Sequence, residues 1–128
     1  MKTEEKAQKP ALKSGPYVEY FKDGSLSIAG QYLDGEKTGE WKYYLLNGHL
    51  KAIGNFKNGK MHGEWKWYRK NSQLMQIGSF DMEKRVGKWI RYHENGSIFD
   101  EGEYADDKKT GTWKTYDKKG ELLKTKNL

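Results

Sequence analysis

GEWKYYLLNGHLKAIGNFKNGKMH, Gly39 to His62, is the stretch that decides the fold. Its first half carries the β-prone run Tyr43-Tyr44-Leu45, and Asn47-Gly48 follows as a strong hairpin signal. A second run goes from Leu50 to Phe56, and Asn58-Gly59 marks a second turn. Nothing in it shows the 3.6-residue periodicity of a helix. The stretch reads as two short antiparallel strands and the turn that leads to the next pair.

The same pattern returns every 24 residues along nearly the whole chain. Glycine stands at Gly15, Gly39, Gly63, Gly87 and Gly111. Two positions later come Tyr17, Trp41, Trp65, Trp89 and Trp113, and three further on Tyr20, Tyr44, Tyr68, Tyr92 and Tyr116. A turn column follows (Gly24, Gly48, Ser72, Gly96, Gly120), then an aliphatic one (Leu26, Leu50, Leu74, Ile98, Leu122). A second glycine recurs at Gly30, Gly54, Gly78 and Gly102, where Lys126 is the last member. Tyr32, Phe56, Phe80 and Tyr104 close the unit, with Leu128 last. No insertion breaks the phase, so the chain is a repeat array. Two strands per unit give an all-β, elongated, single-layer, twisted antiparallel meander of nine or ten strands. The domain reading is a flexible tail over 1–14 and an array over 15–128, cut at 15–38, 39–62, 63–86, 87–110 and 111–128.

Treating Asn47-Gly48 as a two-residue turn sets Leu45 against Leu50, Tyr43 against Ala52 and Trp41 against Gly54. Trp65 then meets Gly78, and Trp89 meets Gly102. The glycine leaves room for the indole to cover the backbone. Alternation puts the Trp column, the aliphatic column, the closing aromatics, Tyr43 and Trp67 on one face. The other face takes Glu40, Lys42, Lys51, Glu64, Lys66 and the tyrosine column, with Ile53 and Ile77 as apolar exceptions. A bulge would bring the Trp and Tyr columns together.

These columns resemble MORN repeats in their bacterial variant form. The match is Gly39-Glu-Trp41-Lys-Tyr-Tyr44, then Asn47-Gly48-His-Leu50, then Gly54-Asn-Phe56-Lys-Asn-Gly59-Lys60-Met-His-Gly63. It covers residues 15–128, with departures at Tyr17, Ser72, Glu83, Asp107 and the shortened last unit. The resemblance implies an extended single-layer sheet that serves as a scaffold for protein contacts, with some members linked to membrane or phospholipid binding. Bacterial proteins of this type are often named antitoxins, which would make the chain an immunity-type inhibitor.

Composition excludes much else. Hydrophobic residues are 34% and charged residues 33% of the 128, too polar for a thick aliphatic core. Five Trp, nine Tyr and four Phe argue against disorder. There is no cysteine, which removes disulfides, thiol catalysis and Cys-ligated zinc. No apolar run is long enough to span a membrane and the first residues lack a signal-type apolar stretch, so the expected location is cytoplasmic. Gly54-x-x-x-x-Gly59-Lys60 falls short of a phosphate loop, since Met61 stands where Ser or Thr must follow. His49, His62 and His93 lie in three different columns without ligand spacing. Asp34/Glu36, Asp81/Glu83 and Asp106/Asp107 sit where turns favour such residues. Asn95-Gly96-Ser97 is formally a glycosylation sequon, but it is also a hairpin turn. The expectation is no enzyme, no metal and no cofactor.

What remains is binding. The candidate protein interface comprises Tyr43, Trp67, Trp41, Trp65 and Trp89. Of these, the repeating tryptophans, like Trp113, read first as core. Tyr43 and Trp67 stand outside the repeated columns and are the better contact residues, because aromatics dominate interfaces. A one-layer sheet has nothing of its own to cover an aromatic stripe, which points to a protein partner or to self-association. Twenty-four basic against eighteen acidic residues leave a net charge of +6. Lys118, Lys119, Lys124 and Lys126 form a basic cluster, and the alternative function is peripheral binding of anionic membrane or nucleic acid. No small-molecule substrate is expected.

Overall fold

The computed structural model describes residues 13–128, so all but the last two residues of the expected tail lie outside the described residues. Ten strands form one antiparallel sheet in chain order. They are β1 (Gly15–Tyr20), β2 (Leu26–Leu33), β3 (Glu36–Tyr44), β4 (Leu50–Lys57), β5 (Lys60–Tyr68), β6 (Leu74–Asp81), β7 (Lys84–Tyr92), β8 (Ile98–Ala105), β9 (Lys108–Tyr116) and β10 (Leu122–Asn127). At about 4.8 Å per strand the sheet runs roughly 43 Å across its strands.

Two kinds of turn alternate along it. The turns between repeats hold two residues at positive φ, Asp34 (50°) with Gly35 (84°) and Asn58 (51°) with Gly59 (78°), as in primed hairpin turns. Met82 with Glu83 and Asp106 with Asp107 adopt the same conformation without glycine. The hairpin inside a repeat differs from the two-residue expectation. Leu45 N–H donates to His49 O (2.8 Å) and Gly48 N–H to Leu45 O (2.9 Å). The loop is therefore three residues, with Gly48 left-handed at φ 90°.

That extra residue corrects the face assignment. Tyr44, not Leu45, opposes Leu50, and a bulge at Lys51 restores Tyr43 to Ala52 and Trp41 to Gly54. A one-residue slip flips the side chains, so the aliphatic column joins the tyrosine column (Tyr20↔Leu26, Tyr68↔Leu74, Tyr92↔Ile98). Because each bulge lies on the even strand, the Trp and Tyr columns stay on opposite faces.

A second irregularity explains the glycine-x-tryptophan unit. Between β2 and β3 the ladder jumps from Gln31↔Thr38 to Ala29↔Lys42, leaving Gly39, Glu40 and Trp41 against Gly30 alone. Left-handed Gly39 (φ 66°) opens this gap, and the Trp41 indole closes it by donating from Nε1 to Gln31 O (3.1 Å) and Thr38 O (3.2 Å). Trp65, Trp89 and Trp113 repeat the bond to Asn55, Ser79 and Glu103 carbonyls. Each ring thus leans back over the preceding repeat. A Cβ on Gly30 would lie 2.1 Å from Trp41 Cδ2, and one on Gly54 only 1.9 Å from Trp65 Cδ2. The glycine floor is real, but Trp65 lies on Gly54 and not on Gly78, its partner in the backbone ladder. Lys126 closes the glycine column on β10, and no indole lies over it among the described residues.

The core is this row of indoles. Trp41 is 1% exposed, Trp65 3%, Trp89 7% and Trp113 9%. Tyr32, Phe56, Phe80 and Tyr104 insert edge-on between them at 5.2–5.5 Å centroid distances. Edge-to-face contact is a favoured aromatic geometry. Turns bind the repeats further, through Gly35, Gly59, Glu83 and Asp107 N–H to the carbonyls of Lys13, Lys37, Met61 and Arg85.

Candidate interaction face

Three rows run across the strands on the tryptophan face. The first has Lys13, Lys37, Met61, Arg85 and Lys109, spaced by 24. Each of the last four opposes a closing aromatic: Tyr32↔Lys37, Phe56↔Met61, Phe80↔Arg85 and Tyr104↔Lys109. Lys13 Nζ lies 4.7 Å from the ring centroids of both Tyr17 and Tyr32. Lys37 Nζ lies 4.8 Å from Trp41 and 4.9 Å from Phe56. Arg85 covers Tyr104 at 4.4 Å and Lys109 covers Trp113 at 4.5 Å. These side chains roof the stripe: apolar stems lie along the rings, and the charges stay in water. The sheet therefore does carry its own cover, contrary to the expectation for a single layer.

The second row is the buried indoles. The third has Glu19, Tyr43, Trp67, Arg91 and Thr115, a column the repeat leaves free. Tyr43 lies 6.4 Å from Trp41 and 6.3 Å from Trp65; Trp67 lies 6.0 Å from Trp65 and 5.7 Å from Trp89. All four pairs are inclined by only about 30°. Tyr43 and Trp67 are half-buried and flank buried Ala52 in the ladder. Burial raises the Tyr43 pKa, so its phenol stays neutral. Tyr43 also borders a hollow of about 300 Å3 with Phe21, Ile28, Leu45 and Leu46.

The row changes character at Arg91. Its Nε and Nη2 reach the carboxylate of Asp100 at 3.0 and 2.6 Å, the fork geometry favoured by guanidinium. That bond raises the Arg91 pKa. Asp100 is 8% exposed, and Phe99 lies under the guanidinium at 4.8 Å.

The tyrosine face is electrically different. There Lys42 pairs with Glu40 (3.8 Å), Lys66 with Glu64 (3.9 Å) and Lys88 with Glu101 (3.5 Å). Ile53, Ile77 and Ile90 sit in the same cross-strand row as Lys42 and Lys66.

Of the residues singled out in sequence, Trp41, Trp65 and Trp89 are core and Tyr43 and Trp67 are accessible beside them. Lys118 and Lys119 lie at the last hairpin tip and Lys124 and Lys126 on β10, all exposed. Leu122, Leu123 and Leu128 are exposed beside them at 55%, 66% and 55%. The stretch Gly54–Lys60 is a β4–β5 hairpin whose first glycine is covered by Trp65. His49 Nδ1 and His93 Nε2 bond to carbonyls of the next repeat at 2.7 and 2.9 Å, and His62 Nδ1 accepts from Met82 N–H at 3.2 Å. Among the described residues no group of three or more His, Asp or Glu is placed to hold a metal, and no helix is long and apolar enough to cross a membrane. Sequence reading missed the roof and the Arg91–Asp100 pair. The roof had a signal, the 24-residue column of cations broken by Met61.

A ten-stranded single layer built from a repeated 24-residue unit is a repeat scaffold. The model of the MORN repeat variant matches residues 37–58, 61–82 and 85–106, just over half of the chain. The chain belongs to the MORN repeat variant family. No curated protein matches it. MORN repeats generally mediate protein or membrane contacts, and the scaffold is not a known enzyme class.

Proposed function

We propose that this chain is a non-enzymatic scaffold that binds another protein on its tryptophan face. The observation that carries the reading is the pair Tyr43 and Trp67. The repeat requires neither, yet both extend the buried indole row with half-exposed rings, and large aromatics are the residues that dominate interfaces. Exposed Leu46 and the hollow beside Tyr43 add apolar area next to them. Covering the active surface of a toxin is one form such binding would take.

Lysate pulldown with the intact protein, beside a Tyr43→Ala/Trp67→Ala variant, tests the reading. A stoichiometric protein retained at moderate salt and lost in the variant supports it. Retention of lipid or nucleic acid alone, released as salt rises, sinks it.

One observation favours the second reading, contact with an anionic surface. Residues 108–128 hold seven lysines against Asp117 and Glu121, so +5 of the net +6 is concentrated in the last hairpin and its flanking residues. That hairpin also exposes Leu122, Leu123 and Leu128. Binding to anionic vesicles that is lost in a Lys118→Gln/Lys119→Gln/Lys124→Gln/Lys126→Gln variant would support it.

A further inference from the structure

We propose that the partner of the tryptophan face is an acidic, extended protein segment lying across the strands, with every third residue over a successive roof position. This rests on the reading of that face as a protein-binding surface, and it specifies the partner's chemistry and spacing.

Charge comes first. On the tyrosine face Lys42, Lys66 and Lys88 each have a carboxylate within 4 Å. On the tryptophan face, among the described residues, Lys13, Lys37 and Lys109 have none. Their ammonium groups are held 4.5–4.9 Å from ring centroids, which fixes their positions. Of the carboxylates in or opposite the third row, Asp100 is already taken by Arg91, and Glu19 on β1 accepts from Tyr17 Oη. Positive charge that is held against aromatic rings and has no carboxylate partner therefore lies along the tryptophan face, and it selects an anionic partner.

Spacing comes second. Successive roof residues are two strands apart, about 9.4–9.8 Å. A polyproline II segment has three residues per turn and rises about 3.1 Å per residue, a repeat of about 9.3 Å. Its residues i, i+3 and i+6 point the same way, each over one roof position. The mismatch is about half an ångström or less per repeat. Aromatic surfaces are also the surfaces on which such segments dock.

The third argument is the break in the roof. Met61 replaces the cation between Trp65 and Phe80, and Trp67 packs against both rings at 6.0 and 6.2 Å. This central position is apolar and polarizable. It takes an apolar side chain, while Lys37 on one side and Lys109 on the other take carboxylates; Arg85 between Met61 and Lys109 is already bonded to Asp107. A nucleic acid would need a run of open ring faces for successive bases, whereas Trp41, Trp65, Trp89 and Trp113 are 1–9% exposed and only Tyr43 and Trp67 are accessible beside them.

The probe is a fluorescein-labelled peptide, Glu-Pro-Pro-Glu-Pro-Pro-Leu-Pro-Pro-Glu-Pro-Pro-Glu, whose pattern is the same in either chain direction. Its control is an isomer with the four acids and the leucine consecutive. With the full chain, anisotropy should show saturable binding about tenfold tighter for the spaced peptide, since it alone meets several weak ionic contacts together. Lys37→Gln, which keeps the stem over Trp41, should weaken it about threefold. Met61→Lys should reverse the preference at the centre, favouring a peptide with Glu in place of Leu.

Equal binding of the two isomers, no binding of either, or no change with Met61→Lys overturns the inference. So does tighter binding of phosphatidylserine vesicles or of a single-stranded oligonucleotide that falls with Lys37→Gln. A captured protein lost on Tyr43→Ala/Trp67→Ala but indifferent to Lys37→Gln leaves the binding function standing and removes this partner.

Discussion

Replacing Gly54 by alanine should break the array at its centre. In an ordinary strand the change favours folding by about 0.5–1 kcal/mol, because glycine loses more backbone freedom. Here the new Cβ would lie 1.9 Å from Trp65 Cδ2, 2.1 Å from Cε2 and 2.4 Å from Cγ. No relaxation of a side chain end relieves this, because the obstruction is the body of an indole that is 3% exposed. The ring has to lift. It then loses contacts with Tyr43, Phe56, Trp67 and Phe80, and the bond from Nε1 to Asn55 O (3.0 Å). Exposing the whole indole would cost about 4–6 kcal/mol at 25 cal/mol per Å2 over about 150–250 Å2. Partial relief makes about 3–5 kcal/mol the expected loss, the range for truncating a buried aromatic. Urea unfolding followed by circular dichroism measures it, and a transition split into two phases is expected as the halves uncouple. Lys126→Ala, in the same column with no indole above it, should stay within about 0.5 kcal/mol. In a double-mutant cycle Gly54→Ala should cost almost nothing once Trp65→Ala is present. A loss below about 1 kcal/mol for the single variant, or additivity in the cycle, would refute the indole-on-glycine mechanism.

Other expectations are simpler. Ser72 holds φ 73° where the other hairpins have Gly24, Gly48, Gly96 and Gly120; Ser72→Gly should raise stability by about 0.5–1 kcal/mol in the same unfolding assay. Arg91→Ala strands the carboxylate of Asp100 and should cost about 2 kcal/mol, discounted for the half-exposed guanidinium. The pair Arg91→Tyr/Asp100→Ala copies Tyr43/Ala52 and should return stability to within about 1 kcal/mol of the parent. Asp107 is held below its ordinary pKa of 3.8, first by the hydrogen bond from Arg85. Its folded pKa is depressed, so the stabilisation is present above that ordinary value and lost as pH falls through the folded one. Arg85→Gln should flatten the acid limb of a stability–pH curve, and an unchanged limb would contradict this assignment.

The repeat could be read from sequence because its columns are enforced by local chemistry. Turn glycines need positive φ, the aromatic columns need a pleated surface, and no insertion disturbs the phase. The pairings of Tyr43 with Ala52 and of Trp41 with Gly54 followed from counting. Yet the counting reached them through a two-residue turn that the chain does not use. A three-residue loop and a bulge at Lys51 cancel, and only the pairs before the bulge reveal the slip. Which glycine lies under which indole was not legible, because pairing within a hairpin says nothing of the gap between hairpins. That gap depends on Gly39, Glu40 and Trp41 together facing Gly30. The roof was legible only as a column of cations. Its place over the rings depends on the same gap: Lys37 and Trp41 share a face by alternation, and the backbone between them lets them meet.

The columns that build the fold are distinct from the columns proposed for recognition, and such a separation lets a repeat scaffold vary its surface without losing its core. The glycine under the indole, the indole itself, the closing aromatic and the turn residues answer to neighbouring repeats. A change there propagates as lost packing. The members of the column Glu19, Tyr43, Trp67, Arg91 and Thr115 share neither charge nor size, although Tyr43 and Trp67 pack on neighbouring indoles and Arg91 holds Asp100. The roof column stands between the two kinds, since any long side chain covers a ring but only some bring charge. Met61 shows the difference: it keeps the stem that the fold uses and drops the ammonium that it does not. A residue that keeps the structural half of its column's role and abandons the other half is where specificity is written at least cost to stability. By that argument Met61, together with Tyr43 and Trp67 beside it, marks the centre of the proposed binding face rather than a defect in the array.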